Sequence, residues 1–171
     1  PNPDTAIARI AFDESVTVIK AKRPGELVWK TDVGNFRNST PALDMNGNVV
    51  VPSKDGKLFS INSSTGTPNW VFDEKTAANT FGSNVTIDQM GTIYYINPES
   101  KLFAINPLTG EPIWEKLLKV NYTPQSGNGI VLGLNNDIFI TAFKDPDGRL
   151  LLIDKESGDK VWEFTTSGTF R

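Results

Sequence analysis

Few side chains in this sequence are of the types that usually carry catalysis or bind transition metals. Among its 171 residues there is no histidine and no cysteine, so the commonest general base, the thiolate nucleophile and zinc–thiolate sites are all excluded. Catalysis would have to come from carboxylates, lysine, tyrosine or a cofactor. Carboxylates stand close together at Asp13/Glu14, Asp73/Glu74 and Asp145/Asp147.

Only the last of these pairs suggests a metal site. Asp145 and Asp147, in DPDG, have the Asp-x-Asp spacing of a calcium loop, but the third oxygen ligand and the distal glutamate of such a loop do not follow. A hairpin turn accounts better for the proline and glycine. The other two pairs are expected at strand ends or in connecting loops, where charged side chains are solvated. No phosphate-binding loop, nucleophile elbow or dinucleotide-binding glycine motif is present.

Composition argues against two further classes of function. The formal net charge is −3 and there is no basic tract, which argues against nucleic-acid binding. The longest apolar stretches, such as IVLGL and LLLI, are far shorter than the roughly 20 residues that span a bilayer, so no membrane insertion is predicted. PNPDTAIARI lacks a basic segment followed by an apolar run, and a signal peptide is therefore expected to be absent or already removed.

The elements that would position any site are repeats, each ending in tryptophan. The four tryptophans lie 41 to 48 residues apart, and each follows a glycine by four positions. The pairs are Gly25 with Trp29, Gly66 with Trp70, Gly110 with Trp114, and Gly158 with Trp162. The phrases that contain them read IKAKRPGELVW, SINSSTGTPNW, AINPLTGEPIW and LIDKESGDKVW.

Each repeat also contains short runs of β-branched and aromatic residues, separated by turn sequences such as MNGN, DQMG, STG and LTG. With the tryptophan strand, this predicts four antiparallel strands per repeat. The runs VVV, TIYYI and LLLI do not alternate with polar residues, so we expect sheets covered on both faces. Four strands in about 44 residues predict an all-β fold of β-propeller blades.

We expect one propeller segment over residues 1–171, with repeats of approximately 1–35, 36–78, 79–122 and 123–171. The first repeat is incomplete, because TAIARIAF and SVTVIKAK offer only two strands before the one predicted to carry Trp29.

The eleven-residue phrase resembles the tryptophan-docking motif, AxDxxTGxxxW, of the PQQ-like β-propeller repeats. SINSSTGTPNW and AINPLTGEPIW match it closely, LIDKESGDKVW matches with two changes, and IKAKRPGELVW keeps only the glycine and the tryptophan. The resemblance implies that each indole packs between neighbouring blades, against the glycine region of the adjacent motif. The four tryptophans and their glycines are therefore interpreted as structural docking residues.

Relatives with this motif have seven or eight blades, so four motifs correspond to about half a ring. Three explanations stay open. The chain could be a segment of a longer protein, half of an eight-bladed ring completed by a second copy, or a small closed four-bladed ring.

The resemblance also implies two functions. The family's quinoprotein dehydrogenases oxidise alcohols or sugars with PQQ and calcium. The alcohol-oxidising members hold the cofactor with vicinal cysteines, a Glu/Asn calcium pair and a catalytic aspartate, and no position here matches those ligands. The leading hypothesis is therefore a non-catalytic, cofactor-free binding or scaffold propeller of a bacterial cell-envelope or secreted protein. Such a module would be periplasmic, on the cell surface or secreted, and would bind a protein or glycan. The alternative is part of a PQQ- and calcium-dependent dehydrogenase.

Any ligand-binding face is expected on the loops that enter the innermost strands, at residues 35–40, 79–84 and 123–128. Within them, Arg37, Asn38, Phe81 and Gln125 are the candidate contact residues for a ligand or partner.

Overall fold

The chain divides into two compact units, Pro1–Lys30 and Thr31–Arg171. The computed structural model describes residues 6–7, 18–19, 25–34, 40–53, 56–74, 85–97, 99–118, 129–134, 137–144 and 147–167. In the first unit, strand β1 (Ala6–Ile7) pairs antiparallel with strand β2 (Val18–Ile19).

The segment around Trp29 differs from the prediction, because residues 25–34 contain no strand. In the later repeats an asparagine or aspartate organises the turn before the tryptophan strand. The first repeat has Ala21 at that position, and alanine has no side-chain oxygen to accept backbone hydrogen bonds.

The second unit contains three four-stranded antiparallel sheets, in which strand order follows chain order. We call them the second, third and fourth blades after the repeats that form them. Their strands are β3 (Ala42–Leu43), β4 (Val49–Pro52), β5 (Lys57–Ile61) and β6 (Pro68–Asp73); β7 (Val85–Ile87), β8 (Ile93–Ile96), β9 (Lys101–Ile105) and β10 (Pro112–Leu117); and β11 (Ile130–Leu132), β12 (Asp137–Lys144), β13 (Asp147–Asp154) and β14 (Lys160–Ser167). The predicted all-β blade architecture is thus confirmed, and within the described residues the sheets do not close a ring.

The third blade is covered on both faces, as the continuous apolar runs predict. Successive side chains of a strand point to opposite faces. In β8, Ile93 and Tyr95 join the core shared with the second blade, whereas Tyr94 and Ile96 join the core shared with the fourth. All four side chains are buried, so one strand supplies both cores.

A β-bulge precedes the tryptophan in every described blade. The strand register shifts by one residue next to Trp70, Trp114 and Trp162, which pair with Ser60, Ala104 and Leu152 of the preceding strand. Because a bulge re-aims the side chains that follow it, the three indoles leave their sheets at equivalent positions.

The fourth blade is longer than its neighbours. Strands β12 and β13 each have eight residues and pair as far as Lys144 with Asp147. This pairing agrees with the interpretation of DPDG as a hairpin, although Asp145 lies outside the described residues.

The second unit has two edges, one at each end of its strands. The turn edge carries the turns from β3 to β4, β5 to β6, and their equivalents in the other blades. On it, the Sδ atom of Met45 lies 3.4 Å from the position that a Cβ would take on Gly91, and Pro107 Cγ lies 3.5 Å from that position. The loop edge, at the opposite strand ends, is where β6 ends and β7 begins. The described residues form no helix long and apolar enough to cross a membrane.

Candidate functional site

The turn that precedes each tryptophan is held by the side chain at the third position of the repeated phrase. In the third blade, Asn106 Oδ1 accepts hydrogen bonds from the backbone N–H groups of Leu108 (2.9 Å) and Thr109 (3.3 Å). The N–H of Gly110 then donates to the carbonyl of Asn106 at 2.9 Å. Asn62 and Asp154 make the same bonds in the other two blades. Each turn therefore ends in a glycine of positive φ, which only glycine adopts without strain.

The second blade contacts the third through Trp70. Its Nε1–H donates to the carbonyl of Pro107 at 2.9 Å. The ring lies so close to the next turn that a Cβ on Gly110 would stand 2.7 Å from two of its atoms. Two residues further on, Phe72 meets Phe103 edge-on with the ring centroids 5.2 Å apart. The glycine is required both by its φ of 75° and by the indole beside it.

The third blade contacts the fourth in the same way. Trp114 Nε1–H donates to the carbonyl of Lys155 at 3.0 Å, and a Cβ on Gly158 would stand 2.8 Å from the indole ring. The indole hydrogen bond contributes about 1 kcal/mol, in addition to the burial of the ring. These contacts fit the docking interpretation, and the energetic importance of the joints stays a prediction.

A nearly buried ion pair reinforces the second of these joints. Lys155 Nζ lies 3.1 Å from Asp88 Oδ2, and their side chains are only 11% and 8% exposed. Tyr94 donates its hydroxyl to the same oxygen at 3.2 Å. Burial, followed by the negative charge of Asp88, raises the pKa of Tyr94 above its ordinary value. The tyrosine therefore stays a neutral donor throughout the physiological range.

A second polar network lies at the loop edge, where the chain leaves β6. Glu74 accepts hydrogen bonds from Asn97 Nδ2 at 2.5 Å and from Lys101 Nζ at 2.7 Å. Lys101 also pairs with Glu115 at 2.8 Å. Hydrogen bonds to Glu115 and then Glu74 raise the pKa of Lys101. Glu74 lies five positions before the predicted binding loop at 79–84.

The candidate contact residues themselves, Arg37, Asn38, Phe81 and Gln125, all lie outside the described residues. Their role stays a prediction. Two carboxylates next to the second loop are described, and one differs from its expected setting. Asp73 is partly exposed beside Lys57 at 3.5 Å, as expected, whereas the Glu74 side chain is only 16% exposed, because Asn97 and Lys101 supply the donors that water would otherwise provide.

Sequence reasoning identified the docking turns but missed these two networks. The bonds in these networks that link Glu74 to Asn97 and Lys101, and Asp88 to Lys155, join residues 23 to 67 positions apart, and no short motif joins residues at such distances. One signal was available: Asp44 and Asp88 occupy the same position in two repeats. Asp44 Oδ1 accepts hydrogen bonds from the backbone N–H groups of Asn46 and Asn48, both at 2.8 Å.

A cleft of about 410 Å³ lies beside the joint between the third and fourth blades. Its rim carries Lys116 and Asp159, which pair at 2.7 Å. It is lined by Lys116, Leu117, Leu118, Leu151, Gly158, Asp159 and Lys160. Lysine, aspartate and leucine around an open groove provide no activated nucleophile.

The described residues offer no ligand set that fits PQQ and calcium. The sequence has no cysteine, and in the described ranges no three His, Cys, Asp or Glu side chains converge as metal ligands would. Calcium sites need six to eight oxygen ligands, so no step of a quinoprotein reaction is assigned to this chain.

Comparison with known proteins identifies similar chains. The family model for outer membrane protein assembly factor BamB matches residues 10–130. The structure of BamB from Moraxella catarrhalis is similar with a TM-score of 0.61 at 22% identity, covering 95% of this chain and 49% of that one. The present chain thus spans about half the length of that BamB. A search of curated protein sequences gave no match.

Two enzymes share the fold. Quinohemoprotein alcohol dehydrogenase ADHIIG from Pseudomonas putida HK5 has a TM-score of 0.64 at 20% identity, covering 81% of this chain and 22% of that one. The quinohemoprotein alcohol dehydrogenase of Comamonas testosteroni has a TM-score of 0.59 at 17% identity, covering 77% and 21%. At these identities the likeness extends to the fold alone.

Proposed function

This chain belongs to the PQQ-like β-propeller repeat family, through the model for outer membrane protein assembly factor BamB, and from that premise we propose that it is a non-catalytic binding and scaffold module of the bacterial cell envelope. The family match over residues 10–130 carries the proposal. A periplasmic or other envelope-associated location and a protein partner go with it, and a glycan is the second class of ligand.

The internal contacts support a scaffold. Consecutive blades are joined by an indole hydrogen bond, a glycine turn and, at one joint, a nearly buried ion pair. Such joints hold neighbouring sheets in fixed positions, and rigid elements present loops with little loss of conformational entropy on binding. The network of Glu74, Asn97 and Lys101 fixes the last described residue before the predicted binding loop at 79–84.

We place the binding surface on the loop edge, at Arg37, Asn38, Phe81 and Gln125. A photoreactive amino acid introduced at Phe81 or Gln125 should cross-link to an envelope protein when the chain is expressed in the periplasm of a Gram-negative bacterium. Matched positions are Ser64 and Glu156, which are exposed on the turn edge and should give no adduct. Equal cross-linking at all four positions, or none at any, would contradict this placement.

The rival reading, part of a quinoprotein dehydrogenase, has a direct test. The purified chain is titrated with PQQ and calcium while quinone absorbance and dye-linked alcohol oxidation are followed. We expect no absorbance change and no turnover, because the ligand set described above does not fit the cofactor. Micromolar PQQ binding would overturn the scaffold proposal whatever the cross-linking shows.

A further inference from the structure

The cleft of about 410 Å³ between the third and fourth blades has a filled counterpart at the preceding joint. There, Phe72 meets Phe103 edge-on with the ring centroids 5.2 Å apart, and Phe103 is fully buried. Strand pairing identifies the equivalent positions of the next joint: Phe72 pairs with Leu58 as Lys116 pairs with Leu102, and Phe103 pairs with Glu115 as Leu151 pairs with Glu163. A lysine and a leucine therefore stand where the preceding joint has two phenylalanine rings.

The lysine does not take the position of the ring that it replaces. Its stem passes over the glycine turn, since a Cβ on Gly158 would lie 2.8 Å from Lys116 Cγ, and its Nζ bonds to Asp159 at 2.7 Å. Leu118 and Leu151, 8% and 1% exposed, form the apolar floor of the cleft. The cleft thus results from the replacement of an aromatic pair, and its volume lies within the range of small-molecule pockets, about 300–1,000 Å³.

The rim of the cleft carries two ammonium groups that can exchange their partners at little cost. Lys160 Nζ bonds to Glu163 Oε2 at 2.7 Å, and Arg149 Nη1 bonds to Oε1 of the same carboxylate. Because Glu163 keeps Arg149, Lys160 can turn to another anion without leaving that carboxylate unpaired. The side chains of Lys116 and Asp159 are 41% and 69% exposed, and exposed ion pairs contribute little to stability. Both lysines can therefore bind an anion that enters the cleft.

We propose that this cleft binds a small aromatic monocarboxylate, whose ring lies on Leu118 and Leu151 and whose carboxylate is held by Lys116 and Lys160. The ring takes the place that the aromatic pair has at the preceding joint, and the carboxylate forms charge-assisted hydrogen bonds with the ammonium groups. A fused-ring polycarboxylate such as PQQ brings more negative charge than these two lysines balance. The lining comes from two neighbouring blades and not from the loop edge, so the inference goes beyond the proposed function and stands or falls separately from it.

The first test is a titration of the full chain with phenylacetate, followed by the chemical shifts of the backbone amides in nuclear magnetic resonance spectra. We expect a dissociation constant of about 1 mM or below, as for a ligand of about ten non-hydrogen atoms. The shifts should be confined to the cleft, at residues 116–118 and 158–160. Phenylacetamide has the same ring without the charge, as a phenylalanine side chain of a partner protein would, and should bind at least about tenfold more weakly.

Three variants then separate the parts of the site. Lys116→Phe introduces the ring of the preceding joint, and it should raise the thermal unfolding midpoint by about 2–4 °C and abolish phenylacetate binding. Lys160→Met keeps an apolar stem and should weaken phenylacetate binding by about tenfold. The matched control is Lys57→Met, which removes a lysine of the second blade that pairs with Asp73 at 3.5 Å and should leave the affinity unchanged.

Four results would each overturn the proposal. They are a wild-type chain whose cleft amides do not shift, a folded Lys116→Phe variant that binds as the wild type does, equal affinities for phenylacetate and phenylacetamide, and equal losses of affinity in Lys160→Met and Lys57→Met.

Discussion

Replacing Gly110 with alanine should destabilise the second unit much more than the same change at Gly47. Both glycines have a φ of 75°, so alanine meets the same backbone strain at each, about 1–2 kcal/mol. They differ in what the new methyl group meets. On Gly110 it would stand 2.7 Å from the indole of Trp70, whereas on Gly47 it would meet nothing within 4 Å.

The magnitude at Gly110 follows from three parts. Forcing a methyl group into a packed joint costs about 1–3 kcal/mol. Displacing the indole weakens its hydrogen bond to Pro107, which contributes about 1 kcal/mol. Added to the backbone strain, Gly110→Ala should lower the free energy of unfolding by about 3–6 kcal/mol, against about 1–2 kcal/mol for Gly47→Ala.

The assay is equilibrium urea denaturation followed by far-ultraviolet circular dichroism. A double-mutant cycle identifies the cause, because in a Trp70→Ala background the clash is gone and Gly110→Ala should cost no more than Gly47→Ala. Equal losses for the two alanine variants in the wild-type chain would refute the reasoning, since they would show that the indole contact adds nothing.

Three further predictions concern the other contacts. Trp114→Phe keeps an aromatic ring but loses the N–H donated to the carbonyl of Lys155, and it should lower the free energy of unfolding by about 1 kcal/mol. Thermal denaturation measures the loss. A loss as large as that of Trp114→Ala would show that the phenylalanine ring contributes nothing to the joint. Asp88→Asn leaves the Lys155 ammonium nearly buried and should cost about 2 kcal/mol, less than the 3–5 kcal/mol of a fully buried pair; adding Lys155→Met should restore most of this stability, and no restoration would exclude the ion pair as the cause. The pKa of Glu163 is lowered from 4.5, chiefly by its hydrogen bond to Lys160, so the unfolded chain binds this proton more readily than the folded one. The stabilisation is therefore present above pH 4.5 and is lost as the pH falls through the lower folded pKa. Glu163→Gln should flatten that part of a plot of unfolding free energy against pH, and an unchanged slope would contradict the assignment.

The repeated phrases were sufficient to predict the blades, because their signals are local. Glycine and asparagine at fixed spacing predict turns, and the buried run IYYI predicts a strand covered on both faces; both predictions hold at Gly110 and in β8. The resemblance also anticipated the contact of Trp70 with the next glycine turn. Where the local signal was weak, at Ala21 in the first repeat, the predicted tryptophan strand is not formed.

The inter-blade networks could not be predicted for the opposite reason. Lys155 pairs with Asp88 only because two turns of different blades meet at one edge, and that meeting depends on how sheets stack, not on any neighbouring residue. Glu74 was expected to be solvated because it ends a strand, but Lys101 of the next blade covers it. The β-bulges before the tryptophans likewise leave no sign in the sequence, since the three extra residues there, Asn69, Ile113 and Val161, have no side-chain feature common to all of them.

The eleven-residue phrase of the third blade holds one half of each of two different joints. The phrase around Gly110 receives Trp70 from the blade before it and, four residues later, sends Trp114 to the blade after it. A tandem duplication of one repeat would therefore create a new joint with both halves already matched, and an in-frame loss of one repeat would bring compatible halves together. We therefore expect a change of length by one whole repeat to leave the indole and glycine contacts of the remaining joints matched.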